Sequence, residues 1–147
     1  MTEFPETPAL GPDPGNGTRR LVECHRTEVS LCLGLYRIEV NIRSGFQTDG
    51  ASVPPELQGV AGSPWDMPRL LAAVVHDALY QLHWKWRWLC DRVYRALEIK
   101  AGVPREIVDF EYTAIRAAGW RNWDAVTRED METAKAYVSV KTKGWLS

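Results

Sequence analysis

The sequence predicts an α+β fold, in which a small antiparallel β-sheet is followed by a three- to four-helix bundle with a central antiparallel helix hairpin. Up to Ile42, apolar residues alternate with polar ones, which is typical of half-buried strands. Beyond Pro54 and Pro55 they recur instead at the spacing of one helix face. A chain of 147 residues is long enough for one such domain and too short for two.

Residues 1–18 are predicted to be a flexible arm, and residues 19–147 a single α+β domain. Proline and glycine dominate the arm, at Pro5, Pro8, Gly11, Pro12, Pro14, Gly15 and Gly17. Such a segment donates few regular hydrogen bonds and buries little apolar surface. Because no basic and apolar region typical of a secretory signal follows Met1, we expect a soluble protein that is made inside the cell.

Two alternating runs predict a β-hairpin. Apolar residues occupy Val29, Leu31 and Leu33 in the first run, and Tyr36, Ile38, Val40 and Ile42 in the second. Gly34 interrupts the alternation and marks the turn. Weaker patterns predict a further strand at residues 20–24 and a last strand at residues 137–140.

The helical half of the chain begins with a predicted hairpin, Leu70–Leu82 and Leu89–Ala101, that turns near His83. A third helix is predicted from Pro104 to Gly119. Its buried face is expected to consist of Ile107, Phe110, Ala114, Ile115 and Ala118. Thr127 and Asp130 resemble a capping box that opens a short fourth helix.

Composition excludes several classes of function. The net charge of −1 and the pI near 6.3 do not favour a nucleic-acid partner. The three cysteines are widely spaced and form no C-x-x-C pair, which argues against a disulfide framework or a zinc knuckle. No apolar run approaches the roughly 18 residues of a transmembrane segment.

The best candidate for a reactive site lies on the helix hairpin. His76 is about as far before the predicted turn as Asp91 is after it, so the two side chains should lie side by side. A carboxylate next to a histidine raises its basicity and fixes its tautomer, as a general base requires. We therefore assign catalytic roles to His76 as the base and Asp91 as its orienting partner. Arg87, one turn before Asp91, could pair with the same carboxylate and weaken that role.

A divalent cation of unknown identity is the expected cofactor. Asp77, next to His76, and Asp49 supply hard oxygen ligands for it. Thr48 and Ser52 flank Asp49 in a polar loop and are assigned supporting roles. That loop has two other interpretations: a turn that the side chain of Asp49 supports, or a cap formed by Ser52.

A purely structural interpretation stays open for the His76–Asp91 pair and for the tryptophan-rich turn. His76 and Asp91 could be a buried hydrogen-bonded pair that only joins two helices. Trp84, Trp86 and Trp88 crowd the turn together with Lys85 and Arg87. They could form a contact surface for a lipid interface or a protein partner, or they could simply pack over the end of the hairpin.

Two resemblances add to these predictions. The segments GFQTDGASVP at residues 45–54 and AAVVHDALY at residues 72–80, followed by Arg87 and Asp91, resemble an uncharacterised phage and prophage family, domain of unknown function 1353. Cys90 and Tyr94 replace the Ala and Phe of that family. The resemblance implies a phage protein that is made in the host cytoplasm. Association with the virion is expected if the protein is a virion or tail-assembly component. The resemblance supplies no reaction.

The run from His76 through Asp77 to Tyr80 is also similar, over a few residues, to the His-Asp-x-x-Tyr helix of secreted-type phospholipase A2 enzymes. There it provides a base, a calcium ligand and a tyrosine, so Tyr80 is assigned a supporting role here. The leading hypothesis is a phage-encoded hydrolase of a cell-envelope component. The alternative is a virion or tail-assembly component that binds other phage proteins, and a third is an inhibitor of a host defence.

Overall fold

The computed structural model describes residues 8–31, 34–49 and 69–144. The part of the predicted polar loop that follows Asp49, including the supporting residue Ser52, lies outside these ranges, as does Leu33 of the first predicted strand. The described part has the predicted α+β class: antiparallel strands come first and helices follow. The strands before the helices are β1 (Arg19–Arg20), β2 (His25–Leu31), β3 (Tyr36–Ile42) and β4 (Gln47–Thr48). The helices are α1 (Leu70–Gln81), α2 (Arg87–Lys100), α3 (Arg105–Ala118), α4 (Trp120–Ala125) and α5 (Arg128–Tyr137), and β5 (Val138–Gly144) ends the order.

The sheet follows the predicted alternation. In β3 the side chains of Tyr36, Ile38, Val40 and Ile42 are buried, whereas Arg37 between them is exposed. β3 pairs with β2 on one side and with β5 on the other, both antiparallel, so the predicted hairpin and last strand are present. β5 starts directly after α5 and is longer than the predicted residues 137–140. The predicted strand at residues 20–24 is confined to the short β1, which pairs with β4.

Part of the predicted arm contacts the domain. The amide of Gly11 donates to the carbonyl of Arg20 at 2.8 Å, and the amide of Val22 donates to Ala9 at 3.0 Å. Leu10 packs partly against the core beside Leu21. Residues 9–11 are therefore attached along residues 20–22, while the flexibility of the rest of the arm stays a prediction.

The helix hairpin is present and packs against the sheet. α1 buries a stripe of small and branched residues, Ala72, Ala73, Val74, Val75, Ala78 and Leu79. α2 lies between α1 and α3 and also contacts β2. α5 begins with the predicted capping box, in which Thr127 and Asp130 exchange hydrogen bonds of 2.9 and 3.0 Å. No helix in the described ranges is long and apolar enough to cross a membrane.

The predicted buried face of the third helix is partly wrong, although Ile115 packs against the core as predicted. α3 buries Val108 and Glu111, whereas Phe110 is 42% exposed and Ala118 is exposed. A shift of one position turns a helix by about 100°. The apolar stripe predicted one face, whereas the face that is buried carries Glu111, which forms a buried ion pair with Arg69.

Candidate active site on the helix hairpin

Asp91 is the centre of a buried polar network. It lies on α2 with 0% side-chain exposure and is bound by four side chains. Oδ1 is 2.8 Å from Nε2 of His76 and accepts a 2.6 Å hydrogen bond from the hydroxyl of Tyr80. Oδ2 accepts from Nη1 of Arg116 at 2.6 Å and from Nη1 of Arg87 at 3.3 Å. Burial alone raises the pKa of Asp91, but the donors from His76, Tyr80 and Arg116 outweigh it and leave the pKa below its ordinary value.

Local helix geometry explains why these groups meet. His76 and Tyr80 are four residues apart on α1, and Arg87 and Asp91 are four residues apart on α2, so each pair shares a helix face. The turn lies midway between them and brings the two faces level. The predicted contact of His76 with Asp91, and the predicted contact of Arg87 with the same carboxylate, are both present.

Arg87 also binds the end of a third helix. It donates to the carbonyls of Ile115 and Arg116, each at 3.2 Å, near the C-terminus of α3. A cation at this end is favourable because the last carbonyls of a helix lack partners within it. Gly119 leaves the necessary room, since a methyl group placed on it would lie 3.1 Å from Nη1 of Arg87.

The geometry determines which nitrogen of His76 can act as a base. With Asp91 ionised, Nε2 carries the proton that the carboxylate accepts, so the lone pair is on Nδ1. No described residue hydrogen bonds to Nδ1, and the side chain is 15% exposed. The rings of Tyr80 and Tyr94 pack on the imidazole, with centroids 4.2 and 5.1 Å away. His76 is thus held through Nε2, while Nδ1 is unpaired with respect to the part of the chain that the structure describes.

The two predicted cation ligands lie together in a separate cleft. Asp49 and Asp77 line a volume of about 210 Å³, together with Thr18, Gln47, Thr48 and Gln81. Gln81 donates to Oδ1 of Asp77 at 3.2 Å, and Thr48 also hydrogen bonds with this carboxylate. Oδ2 of Asp77 is buried and has no hydrogen-bond partner within the described ranges. Burial and the charge of Asp49 raise the pKa of Asp77 to about 7.

The predicted site residues therefore form two pairs rather than one cluster. His76 contacts Asp91, while Asp77 and Asp49 line a cleft that His76 does not line. Two carboxylates and a hydroxyl suit a hard cation that keeps much of its water. Within residues 8–31, 34–49 and 69–144, however, no group of three or more His, Cys, Asp or Glu side chains is arranged to hold a metal.

Sequence reasoning missed a second buried cluster two turns along α2. Arg69 and Glu111 form an ion pair at 2.5 Å, and the hydroxyl of Tyr94 lies 3.4 Å from Glu111. Glu98 is 0% exposed, and neither of its oxygens meets a donor while both glutamates are ionised. Burial, followed by hydrogen bonding and charge repulsion from Glu111, raises the pKa of Glu98 to about 10. A proton on Glu98 that is donated to Glu111 joins the two carboxyl groups by one hydrogen bond and removes the repulsion between them.

The tryptophan turn is partly packed and partly exposed. Trp84 is only 8% exposed and belongs to the core, so it is not available to the predicted contact surface. Trp86 and Trp88 are 48% and 45% exposed. Arg116 is a further group that the sequence did not indicate, because it is 25 residues from Asp91 and on another helix.

Comparison with known proteins places the chain in a family. Residues 33–145 match the family described as "Protein of unknown function (DUF1353)". The chain belongs to this family. An "Uncharacterized protein y4iH" of Sinorhizobium fredii (strain NBRC 101917 / NGR234) is 47% identical over 49 residues, which are 33% of this chain and 16% of that protein. No solved structure matches significantly. Both polar pairs of the candidate site fall inside the family region, but neither match names an activity.

Proposed function

We propose that this protein is a hydrolase in which His76 is the general base and Asp91 orients it. The observation that carries the proposal is the one-sided engagement of His76. Its Nε2 is fixed by a fully buried carboxylate at 2.8 Å, while Nδ1 has no partner among the described residues. A general base needs this combination of a held ring and a free lone pair.

In the proposed step, a water molecule donates a proton to Nδ1 of His76 while its oxygen bonds to the carbonyl or phosphoryl centre of the substrate. The bond from that centre to the leaving group then breaks, and the leaving group takes the proton from Nδ1, which restores neutral His76. The imidazolium that forms is stabilised by Asp91, which stays ionised because Arg87 and Arg116 bind its other oxygen. Tyr80 holds Oδ1 in place through its 2.6 Å hydrogen bond. These contacts leave the carboxylate no freedom to rotate away from the histidine.

A divalent cation at Asp49 and Asp77 is a second part of the proposal. Asp77 directly follows His76 on α1 and lines the same cleft as Asp49, and its buried Oδ2 has no hydrogen-bond partner among the described residues. A cation there would polarise a carbonyl or phosphoryl oxygen of the substrate. A phage origin, and hence a cell-envelope substrate, is supported only by the resemblance of the 45–54 and 72–80 segments to phage and prophage proteins.

A specific observation favours a second function, that of a virion or tail-assembly component. Asp91 is bound by side chains from α1, α2 and α3, so the network also joins three helices. On this alternative, His76 stabilises the fold and has no chemical role. The two functions predict different consequences for a substitution that keeps the hydrogen bond but removes the base.

His76→Gln is that substitution, because a glutamine amide can donate to Asp91 but cannot accept a proton at neutral pH. We expect it to lower hydrolysis by about 100- to 10,000-fold while the melting temperature changes little. The assay measures product release from aryl esters, phosphatidylglycerol vesicles and purified peptidoglycan. His83→Gln is a matched control, because His83 binds the carbonyl of Trp123 and not Asp91.

Two results would overturn the catalytic proposal. One is the absence of hydrolysis of all three substrate types by the unsubstituted protein. The other is equal hydrolysis by the His76→Gln variant and the unsubstituted protein. Melting temperatures with calcium, magnesium, zinc or a chelator test the cation separately. A rise in melting temperature with one ion, lost in the Asp77→Asn variant, would support the cation site. If no ion raises the melting temperature, the cation is no longer part of the proposal.

A further inference from the structure

The turn between α1 and α2 combines two unfavourable features: positive φ angles at non-glycine residues and exposed tryptophan side chains. His83 and Lys85 have positive φ angles of 52° and 48°, which non-glycine residues rarely adopt. His83 has a local reason, since its ring stacks on Trp123 at 3.9 Å and its Nε2 contacts the carbonyl of Trp123 at 2.7 Å. The conformation at Lys85 has no such contact and separates the buried Trp84 from the exposed Trp86.

Two indole rings stand side by side on the outer surface of this turn. Trp86 and Trp88 are nearly parallel, with an angle of 8° between their planes and 6.0 Å between centroids. Nearly half of each residue is open to solvent. A third exposed indole, Trp120, directly follows Gly119, which lies beside the guanidinium of Arg87. The exposed aromatic surface is therefore grouped around the end of the helix hairpin.

The charge around these rings is positive, although the whole chain has a net charge of −1. Residues 84–95 contain four basic side chains, Lys85, Arg87, Arg92 and Arg95, and one acid, Asp91. Arg87 is bound to Asp91 and Arg95 to Asp109. Lys85 and Arg92 are exposed and form no ion pair with a described residue. Arg121 adds a cation 5.4 Å from the ring of Trp120.

We propose that the Trp86–Trp88 turn, with Lys85 and Arg92, is a docking surface for an anionic lipid bilayer. Indole rings favour the boundary between headgroups and acyl chains, where the ring is apolar and the N–H stays hydrated. Exposed lysine and arginine add attraction to anionic headgroups. The charge decides the occupant: a neutral glycan would need carboxylates and amides beside the rings, but the exposed polar residues nearest to Trp86 and Trp88 along the turn and α2, Lys85 and Arg92, are cations. This surface is independent of any catalytic role of His76.

The test is sedimentation of the full chain with two kinds of vesicle, pure phosphatidylcholine and phosphatidylcholine mixed with an equal part of phosphatidylglycerol. We expect partition only into the anionic vesicles and weaker partition at high salt. Trp86→Ser with Trp88→Ser should abolish it. Lys85→Glu with Arg92→Glu should lower the partition coefficient about 10-fold or more. Leu35→Ser is the matched control, because Leu35 is also an exposed apolar side chain in a turn, 71% exposed, but it lies between β2 and β3 and away from the two indole rings in the sequence.

All five changed side chains are at the surface, so melting temperatures close to the unsubstituted value will confirm that each variant is folded. Unchanged partition of the double serine variant would overturn the proposal, as would equal partition into neutral vesicles. Binding of a single-stranded oligonucleotide, without vesicle binding, would identify a different partner and overturn it as well. So would a dimer in sedimentation velocity that the double serine variant loses while no vesicle binding is seen.

Discussion

Asp91 and Glu98 lie seven residues apart on the same face of α2, are both fully buried, and yet differ in charge. Asp91 is bound by one histidine, one tyrosine and two arginines, and its pKa is lowered. Glu98 faces another glutamate, and its pKa is raised to about 10. Burial is the largest influence on both and raises the pKa of each. The difference shows that the number of donors around a buried carboxyl group, rather than its depth, decides whether it is ionised.

The difference also separates two uses of a buried acid. An ionised Asp91 can hold His76 and stabilise an imidazolium, so it suits chemistry. A neutral Glu98 can share its proton with Glu111, whose carboxylate is then balanced by Arg69. This second cluster has one negative and one positive charge and needs no further partner. It fixes the start of α1 to α3, and Tyr94 connects it by ring contact to His76.

The same chemical change at the two positions should have opposite effects, and Asp91→Asn gives the larger one. The amide cannot balance Arg87 and Arg116, and breaking a buried ion pair costs about 3 to 5 kcal/mol of the free energy of unfolding. We expect about 3 kcal/mol at pH 7, because the two arginine side chains are 18% and 35% exposed and water can reach them. Urea unfolding measures this value. A loss below about 1 kcal/mol would mean that Asp91 is not held as an ion.

The pH trend of this loss has a definite sign. Because the folded-state pKa of Asp91 is lowered, its stabilising contribution is complete above the ordinary value of 3.8 and is lost as the pH falls through the folded-state value. The difference between the variant and the unsubstituted protein should therefore shrink in acid. Because Asp91→Asn destabilises the fold at neutral pH, a loss of activity in this variant would have two explanations. It is therefore a poorer test of catalysis than His76→Gln.

Glu98→Gln should instead stabilise the protein. The folded state retains the proton on Glu98 up to about pH 10, whereas the unfolded chain releases it near the ordinary value of 4.5. Raising the pH between these values favours unfolding, by at most about 1.4 kcal/mol per pH unit. Glutamine mimics the neutral acid and can donate to Glu111, so this dependence disappears. We expect a gain of about 2 kcal/mol in mildly alkaline buffer that declines toward pH 5.

Thermal unfolding over this pH range, with both proteins in the same buffers, measures the gain directly. The difference between them isolates Glu98 from Asp77, whose pKa is also raised and which titrates in both proteins. Lower stability of Glu98→Gln at every pH would contradict a neutral Glu98. It would indicate that a charged group at this position is stabilised by a contact that the amide loses.

The two clusters around Asp91 and Glu98 also differ in how far the sequence could predict them. Periodicity predicted the antiparallel strands and the hairpin, and equal spacing from one turn predicted the contact of His76 with Asp91. These are local features, set by strand alternation and by the 3.6-residue helical repeat. The catalytic and cation-binding roles are not local features and stay proposals.

What the sequence could not predict depends on how α3 rotates against α2. Arg116 reaches Asp91, and Glu111 reaches Glu98 and Arg69, only because α3 turns Val108 and Glu111 inward. The apolar stripe through Phe110 favours a face one residue away. The face that is buried carries an ion pair instead, and the periodicity of one helix does not indicate where a charged group on another element lies. The sequence did contain one indication of the buried face. Glu111 follows Val108 by three residues, and residues at this spacing share a helix face.

The smallest predicted effect compares the two tyrosines that touch the clusters. Tyr80→Phe removes a 2.6 Å hydrogen bond to an ionised carboxylate that retains three other partners, and we expect a loss of about 1 to 1.5 kcal/mol. Tyr94→Phe is the matched control, because its hydroxyl lies 3.4 Å from Glu111, near the limit of a hydrogen bond, and its ring contact with His76 survives. Its loss should be below about 0.5 kcal/mol. Chemical unfolding of both variants at neutral pH measures the two values. Equal losses in the free energy of unfolding would mean that the two hydroxyl hydrogen bonds are equally strong. That result would contradict the proposed difference between an ionised Asp91 and a proton-sharing Glu98–Glu111 pair.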